Sequence, residues 1–384
     1  MAKRRILVCG CGIAGLTAAQ GLTKDGHEVI LVEQVREFGA VGAGIVLQAN
    51  ALTSLDALGI GERVRAAGHR PPNGGIMADS GARLVHFDAA QMVVHPVVSD
   101  TFAFYRPDLH EALAHGLDVK THLGTTVTHF DDEGRVSLSD GTELKVDLII
   151  GADGIHSTIR SQLNLSQQID YAGYTCWRVV CENRIGLSEV LEVWGRGKRI
   201  GLVPLTQNRI YAFLVADAAP DGQDNPADDA RTVLGDLFAE FHGAAGEFLK
   251  TLGDDKLMRH DINEQHDIEW GRGNAVLIGD AAHAMTPNMG QGAAQSIEDA
   301  IALAVVLRGD PSDVPAALQA ARDARVRGIK TQSRRIGAVA QWHNPVACWV
   351  RNGLAKMTPG SLGVIEKMLK PGIAQAETYA QDMR

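Results

Sequence analysis

A glycine-rich turn between a short apolar run and a helical pattern constrains the fold of this chain more than any other feature. The run Arg5–Cys9 leads into Gly10-Cys11-Gly12-Ile13-Ala14-Gly15, and a helical pattern then continues to about Gly26. A second predicted strand, residues 28–32, ends at the acid Glu33. Strand, glycine turn, helix, strand and terminal acid in this order form the βαβ unit that binds dinucleotides. The sequence therefore predicts an α/β fold that starts with a nucleotide-binding unit.

Each part of this unit has a physical task. Side chains at Gly10, Gly12 and Gly15 would obstruct the tight bend, the approach of a pyrophosphate, and the packing of the helix against the strand. The helix N-terminus presents unpaired N–H groups to the phosphates, and Glu33 can accept hydrogen bonds from a ribose diol. The predicted nucleotide-binding residues of this unit are Gly10, Gly12, Ala14, Gly15, Glu33 and Gln34.

A second glycine-rich segment lies far downstream. Residues 274–278 predict a buried strand, and Gly279-Asp280 follows at its carboxyl end. A carboxylate at this place can bind a sugar-like hydroxyl chain. The run from Pro287 to Gly292 then begins another helix, whose N–H groups face the same crevice and favour negative charge on a nearby redox-active ring. Two such segments indicate one long ligand that is held at both ends.

Composition excludes several classes of partner. The chain has 384 residues, enough for two domains, and its formal charge of −9 gives no basic footprint for nucleic acid. No run reaches the ~18 uncharged apolar residues of a membrane span. The five cysteines have neither C-x-x-C nor metal-ligand spacing, so we expect no metal site and no disulfides. A reducing, cytoplasmic location fits this cysteine usage.

The pattern between the two glycine segments is rich in strands. Residues 119–144 alternate as hairpin strands with turns near Gly134 and Gly141, and residues 230–248 predict one helix. The predicted domains are a discontinuous nucleotide-binding domain over 1–73, 99–170 and 271–335, a β-rich substrate domain over 74–98 and 171–270, and a helical segment over 336–384.

Together the motifs resemble those of the single-component, FAD-dependent aromatic hydroxylases, the flavoprotein monooxygenases of the para-hydroxybenzoate hydroxylase type. The first glycine turn with Glu33, Gly151-Ala152-Asp153-Gly154 with Ser157 and Arg160, and the segment 279–292 carry the resemblance. They span nearly the whole chain in the family's order. The resemblance implies a Rossmann-like FAD-binding domain with an inserted β-sheet substrate domain and C-terminal helices.

The resemblance also implies roles for single residues. Glu33 would bind the adenosine ribose, Arg106 the FAD phosphates and Asp280 the ribityl chain, while the backbone of Val127 would meet the adenine. Asp153 and Gly154 would contact both FAD and NADH or NADPH, which binds transiently because no second G-x-G-x-x-G motif is present. The residues implied to bind the flavin further along the chain are Pro287, Gly290, Gln291, Gly292, Ala293 and Ala294.

Within the family, residues 171–177 and 197–199 are most similar to the urate hydroxylase and zeaxanthin epoxidase branch. This likeness implies that Arg199 and Tyr211 are catalytic residues at the boundary between flavin and substrate, where Arg199 would hold an anionic or carbonyl-rich substrate and Tyr211 would hydrogen-bond it. The alternatives are a charge on a strand surface for Arg199 and a core aromatic residue for Tyr211. The chain departs from the urate pattern at Asn288, where the urate enzymes have an acid, and at Ala282 and Met285. These departures favour a flatter or more apolar ring than urate.

The activity that the resemblance implies is NAD(P)H- and FAD-dependent monooxygenation. A small aromatic or heteroaromatic substrate would be hydroxylated by O2 through a flavin C4a-hydroperoxide in a monomer or homodimer. The alternatives are a flavin-dependent epoxidase, halogenase or reductase of the same fold, and a non-catalytic FAD-binding redox protein. The absence of the W-x-W-x-I-P signature disfavours the halogenase.

Overall fold

The computed structural model describes residues 2–37, 43–87, 100–224, 228–357 and 361–382. Its strands are β1 (Arg5–Cys9), β2 (Glu28–Glu33), β3 (Gly44–Leu47), β4 (Gly74–Ala78), β5 (Arg83–Phe87), β6 (Phe102–Tyr105), β7 (Lys120–Leu123), β8 (Val127–Phe130), β9 (Arg135–Leu138), β10 (Glu143–Lys145), β11 (Leu148–Gly151), β12 (Ile169–Glu182), β13 (Val190–Trp194), β14 (Lys198–Pro204), β15 (Arg209–Asp217), β16 (Met258–Gln265), β17 (Gly271–Arg272) and β18 (Ala275–Leu277).

The helices alternate with these strands and fill the C-terminal part of the chain. They are α1 (Ile13–Lys24), α2 (Ala49–Leu58), α3 (Gly61–Ala66), α4 (Arg106–Ala114), α5 (Thr158–Gln162), α6 (Ala230–Leu237), α7 (Gly243–Thr251), α8 (Asp280–His283), α9 (Gly292–Arg308), α10 (Val314–Ala340), α11 (Pro345–Lys356) and α12 (Ser361–Gln381), with a 3-10 turn at Pro287–Met289. In the described residues, no helix is both long enough and apolar enough to cross a membrane.

The first sheet has six strands in the order β17-β18-β11-β1-β2-β7. Strand β1 pairs in parallel with both β2 and β11, and β11 pairs in parallel with β18. Its central strands are almost continuously apolar and buried, because they share one core with α1 and α9 and with apolar residues of β8, β9 and β10. The carboxyl ends of β1, β11 and β18 therefore open at one edge, where a parallel sheet binds its ligand.

The first glycine turn is built by close backbone contacts. Gly10 has a φ of +100°, and a Cβ there would lie 2.5 Å from the carbonyl oxygen of Ala152. A Cβ at Gly15 would lie 1.9 Å from the carbonyl oxygen of Gly10. These contacts let α1 begin directly above the edge of β1.

The second sheet has seven strands in the order β16-β12-β15-β14-β13-β4-β5. One face of it is apolar and packs against α6 and α7. Trp177, Ile200 and Leu214 lie on this face with Phe238 and Phe248 of the covering segment. Because side chains alternate along a strand, the intervening residues point to the opposite face. That face is turned towards the glycine segments.

Two local predictions were wrong. Strand β7 does not form a hairpin but joins the first sheet in parallel with β2, and only β8, β9 and β10 form the antiparallel meander. The single helix over 230–248 is interrupted between α6 and α7, where Gly243 has a φ of +61° and the amide of His242 donates to Asp79 O. The domain limits given above stay predictions.

We predict that Gly15→Ala lowers the free energy of unfolding by about 1–3 kcal/mol, because the new Cβ overlaps the Gly10 carbonyl, which the turn holds in place. Urea unfolding of the apoprotein measures this loss. Gly253→Ala is the matched control, since no heavy atom lies within 4 Å of a Cβ at that position. Equal unfolding midpoints for the two variants would contradict the close approach of α1 to the turn.

Candidate active site

A cavity of about 410 Å³ lies between the open edge of the first sheet and the second sheet. The glycine segments and the polar face of the second sheet therefore share one space. From the first sheet and its loops the lining includes Gly12, Ala14, Arg106, Gly154, Asp280, Pro287, Gly290, Gly292 and Ala293. From the second sheet it includes Cys176, Arg178, Glu192, Arg199, Tyr211, Phe213 and Val215.

The remaining predicted residues lie around this cavity rather than in its wall. Gly10, Gly15 and Ala294 are packed behind the lining, and Gln291 is buried beneath the second glycine segment. Glu33 ends β2 and Gln34 follows it, Asp153 follows β11, and Val127 begins β8 of the three-stranded sheet. The structure thus brings eleven of the nineteen predicted site residues to one cavity, the nine just given from the first sheet and its loops together with Arg199 and Tyr211.

Glu33 lies against the first glycine turn. Its Oε2 accepts a hydrogen bond from the amide of Cys11 at 2.7 Å, and its Oε1 accepts one from the amide of Val35 at 3.1 Å. Burial, followed by the neighbouring Glu33 carboxylate, raises the pKa of the Cys11 thiol to about 12. This thiol therefore stays protonated and unreactive.

Asp153 fixes the turn that follows β11. Its Oδ2 accepts hydrogen bonds from the amides of Thr158 (2.8 Å) and Ile159 (3.2 Å) in the first turn of α5. Its Oδ1 is buried and has no partner among the described residues. Gly154, with a φ of +81°, then reaches the cavity, and a Cβ there would meet no atom within 4 Å.

Asp299 of α9 holds the Gly279-Asp280 turn. Its Oδ2 accepts hydrogen bonds from the Gly279 amide (2.9 Å) and from Nε2 of His283 (2.6 Å), and its Oδ1 accepts one from Nε of Arg322 (2.8 Å). Burial acts to raise the pKa of the Asp299 carboxyl, but His283 and Arg322 outweigh it and hold that pKa below its ordinary value. The carboxylate is therefore charged. It accepts the hydrogen bond from Gly279 in a turn where Gly279 has a φ of +60°.

A second buried group lies under the Gly290–Gly292 segment. Asn50 of α2 donates from Nδ2 to Gln291 Oε1 (2.9 Å) and to Glu298 Oε1 (2.6 Å). Gln291 in turn donates to Gln48 Oε1 at 2.7 Å. Glu298 is paired with Arg322 at 2.7 Å. This network joins α2, α9 and α10 directly beneath the start of α9.

Arg199 is fully buried in the wall of the cavity. Its Nε donates to Gln341 Oε1 (3.0 Å), its Nη2 donates to Asn288 Oδ1 (2.8 Å), and its Nη1 pairs with Glu192 at 3.2 Å. Asn288 also donates to the Tyr174 hydroxyl at 2.8 Å. Each nitrogen of Arg199 therefore already has a protein partner, and the guanidinium links the second sheet to the 3-10 turn at Pro287–Met289.

The ring of Tyr211 on β15 lies against Gly44 of β3. A Cβ at Gly44 would lie 2.3 Å from the Tyr211 ring, so only glycine lets β3 approach so closely. Burial raises the pKa of the Tyr211 phenol, while Arg178 acts to lower it. The phenol is therefore neutral and can both donate and accept a hydrogen bond.

Asp280 is exposed to the cavity but lies deep below the protein surface. This depth raises the pKa of its carboxyl above the ordinary value, although His283 and Arg106 partly oppose the rise. A hydroxyl chain that hydrogen-bonds the carboxylate would offset its desolvation. The surroundings of Asp280 therefore suit a carboxylate that accepts hydrogen bonds from a polyol chain.

The residues around the cavity fit an extended dinucleotide. A Cβ at Gly12 or Gly292 would meet no atom within 4 Å, so both backbones are open to a ligand. The N-termini of α1 and α9 both line the cavity, and neither has a side-chain cap. Arg106 supplies a cation between them. Unpaired N–H groups, a cation and the Asp280 carboxylate are the donors and acceptors that FAD requires.

Comparison with known proteins shows the family to which the chain belongs. A family model described as the FAD binding domain matches residues 3–320. Aurachin C monooxygenase/isomerase of Stigmatella aurantiaca is 38% identical over 364 residues, which cover 92% of this chain and 94% of that protein. The 2-heptyl-3-hydroxy-4(1H)-quinolone synthase of Pseudomonas aeruginosa is 34% identical over 367 residues, 93% of this chain and 94% of that protein.

A solved structure is also similar along the whole chain. Klebsiella pneumoniae HpxO, crystallised with FAD and uric acid, aligns with a TM-score of 0.84 and 27% identity over 97% of each chain. The protein belongs to the FAD-binding-domain family of flavoprotein monooxygenases. It is an FAD-dependent monooxygenase, which confirms the fold class, the cofactor and the enzyme class predicted from the motifs.

Several residues of the site were not predicted from the sequence. Asp299, Arg322 and Asn50 hold the glycine segments from below, and Arg178 lines the cavity. The charged pair Glu298-Asp299 in the mostly apolar helix α9 is a signal that could have indicated buried partners. The roles given above to single residues in FAD or substrate binding stay predictions.

We predict that Gly12→Ala weakens FAD binding by about tenfold to a hundredfold, because the new Cβ stands where the backbone would approach the pyrophosphate. The unfolding free energy of the apoprotein changes by less than about 0.5 kcal/mol, since the Cβ meets no protein atom. Flavin titration and urea unfolding separate the two effects. Loss of apoprotein stability without loss of FAD affinity would contradict the assignment.

Asp280→Asn tests the desolvated carboxylate through pH. Because the folded-state pKa is raised, the folded apoprotein binds this proton more tightly than the unfolded chain does. Asp280 therefore costs stability as pH rises above its ordinary pKa of 3.8. We predict that the Asn variant of the apoprotein is more stable than the wild type at pH 7 and equal to it at pH 3. A wild type that is the more stable at pH 7 would contradict the prediction.

Proposed function

We propose that the protein is an NAD(P)H- and FAD-dependent monooxygenase that hydroxylates an alkylated 4-quinolone or a closely similar heteroaromatic ring. The observation that carries this proposal is the shared cavity, in which the glycine segments oppose the polar face of the second sheet. One wall has the groups that suit FAD, and the other has the groups that suit a ring with polar substituents. The boundary between them is where oxygen transfer would occur.

The residues of the first wall would hold FAD along its length. In this proposal Glu33 binds the adenosine ribose, the Gly12 backbone and Arg106 bind the pyrophosphate, and Asp280 binds the ribityl chain. The start of α9 then lies along the isoalloxazine, where its N–H groups favour negative charge on the reduced ring. When bound and reduced, this cofactor supplies the activation of O2 for transfer to an electron-rich ring.

The second wall would orient the substrate and keep water out. Phe213 and Val215 of the second sheet, with Ile45 and Val46 of β3 and Met285 beside them, give the cavity an apolar surface on which a flat ring can pack. Exclusion of water protects a reactive oxygen donor from side reactions. The guanidinium of Arg199 already donates hydrogen bonds to Gln341 and Asn288. In this proposal it therefore fixes the position of Asn288 and of the loop beside the flavin.

The substrate class is supported by sequence and by the lining together. The name of the Pseudomonas aeruginosa relative, 2-heptyl-3-hydroxy-4(1H)-quinolone synthase, describes a 4-quinolone with a heptyl chain. The lining of this cavity is apolar at Met285, and Asn288 replaces the acid expected of a urate enzyme. Both features suit an uncharged, partly apolar ring better than urate.

The reduced nicotinamide would bind transiently beside Gly154. This glycine is open to the cavity, and Asp153 holds its backbone in place through α5. A transient donor is consistent with the single Rossmann-like glycine turn at β1. Electrons from NADH or NADPH would then reach the flavin before the ring is hydroxylated.

We predict that the FAD-loaded protein oxidises NADH or NADPH slowly in air, and that 2-heptyl-4(1H)-quinolone accelerates this oxidation at least about tenfold while urate does not. Absorbance at the nicotinamide band measures the rate, and mass spectrometry measures one added oxygen atom in the product. Protein without flavin is the control.

Two results would contradict the proposal in different ways. A flavin that neither nicotinamide reduces, with or without a ring compound, would remove the monooxygenase activity proposed here. Rapid nicotinamide oxidation stimulated by urate but not by the quinolone would leave the activity and overturn the substrate class.

A further inference from the structure

Four arginines lie on neighbouring strands of the second sheet, and one differs from the others. Arg199 of β14 pairs with Glu192, Arg209 of β15 with Asp108, and Arg259 of β16 with Asp224. Arg178 of β12 has no carboxylate partner in the part of the chain that the structure describes. Its one side-chain partner is the neutral hydroxyl of Tyr211.

The strand register directs Arg178 into the cavity. In the antiparallel pair of β12 and β15, Arg178 lies opposite Phe213, and Val180 lies opposite Tyr211. Residues opposite one another point to the same face, so Arg178, Tyr211 and Phe213 share the face that lines the cavity. Trp177 points the other way, into the apolar core under α6.

A half-buried guanidinium in this place needs an anionic or strongly polar partner. Leaving a cation partly desolvated without a counter-charge is costly, and a ligand that supplies an oxygen acceptor recovers that cost. The surrounding wall at Phe213, Val215 and Ile45 is apolar. A few convergent polar groups in an apolar cavity are the usual determinants of ligand orientation.

We propose that Arg178 and the Tyr211 hydroxyl form a subsite for the ring oxygen of the substrate, a carbonyl or enolate oxygen conjugated with the ring. The identity of the ring rests on the proposed function. Arg178 donates to this oxygen, and Tyr211 donates its O–H to the same oxygen. Stabilisation of negative charge on the oxygen favours the enolate form, in which the ring has released its proton, and the conjugated carbon of that form is a better nucleophile towards an electrophilic oxygen donor than the carbon of the neutral ring.

Arg199 is less suited to this task. Its three nitrogens already donate to Gln341, Asn288 and Glu192, and its ion pair with Glu192 offsets its charge. Arg178 has neither constraint. The oxygen-binding arginine is therefore placed on β12 rather than at the position that resembles the urate enzymes.

The test compares two ligands that differ in the ring oxygen. FAD-loaded wild type, Arg178→Gln, Arg178→Lys and Arg259→Gln are titrated with 2-heptyl-4(1H)-quinolone and with 2-heptylquinoline, which lacks the oxygen. We predict that the wild type prefers the quinolone by about tenfold to a hundredfold. Arg178→Gln loses this preference, Arg178→Lys keeps part of it, and Arg259→Gln keeps all of it. Calorimetry gives the dissociation constants, and flavin content reports folding.

Each remaining outcome overturns a definite statement. If Arg178→Gln keeps the wild-type preference, or weakens both ligands equally, Arg178 does not bind the ring oxygen, while the proposed activity stands. If the wild type binds neither ligand, the proposed quinolone substrate class is wrong, and the proposed oxygen subsite is wrong with it. If Arg178→Gln does not retain FAD, the test depends on Arg178→Lys. The subsite is overturned if Arg178→Lys has the same preference for the quinolone as the wild type and the bound quinolone has the same absorption spectrum in both proteins.

Discussion

The site depends on one buried carboxylate, that of Asp299. The Gly279 backbone must turn sharply at the end of β18 so that Asp280 faces the cavity, and such a turn leaves an amide that needs an acceptor. Asp299 supplies this acceptor from α9, while His283 and Arg322 keep it charged. A buried charge is tolerated only when it is paired and hydrogen-bonded. The position of Asp280 therefore depends on contacts that never touch a ligand.

The two sheets place their ligand-binding groups in different ways. The first sheet is parallel apart from its edge strand β17, and its central strands are buried, so its ligand groups occur where strands end and glycines expose the backbone. The second sheet is mainly antiparallel and has one face in the core and one in the cavity, so its ligand groups occur along the strands. The antiparallel pair of β3 and β6 contacts the second sheet at Gly44, because the missing Cβ lets β3 lie on the Tyr211 ring.

The sequence predicts the first system much better than the second. Gly12, Gly15 and Asp280 belong to local patterns, since a strand end, a glycine and a helix start follow one another along the chain. Arg178 belongs to a pattern of period two that gives neither the partner strand nor the direction of pairing. The same limitation explains why β7 was mistaken for a hairpin strand. Asn50 contacts Glu298, and Asp299 contacts Gly279, only in the folded chain, so neither Asn50 nor Asp299 has a local signature.

FAD affinity of an Asp299→Asn variant tests this dependence most directly. Asp25→Asn is the matched control, because Asp25 is equally buried and paired with Arg308 at 2.7 Å, away from the cavity. We predict that both variants lose stability, and that only Asp299→Asn weakens FAD binding, by about tenfold or more. Equal FAD affinity in both variants, measured by flavin titration under conditions where both are folded, would contradict the claim that Asp299 positions the cofactor turn.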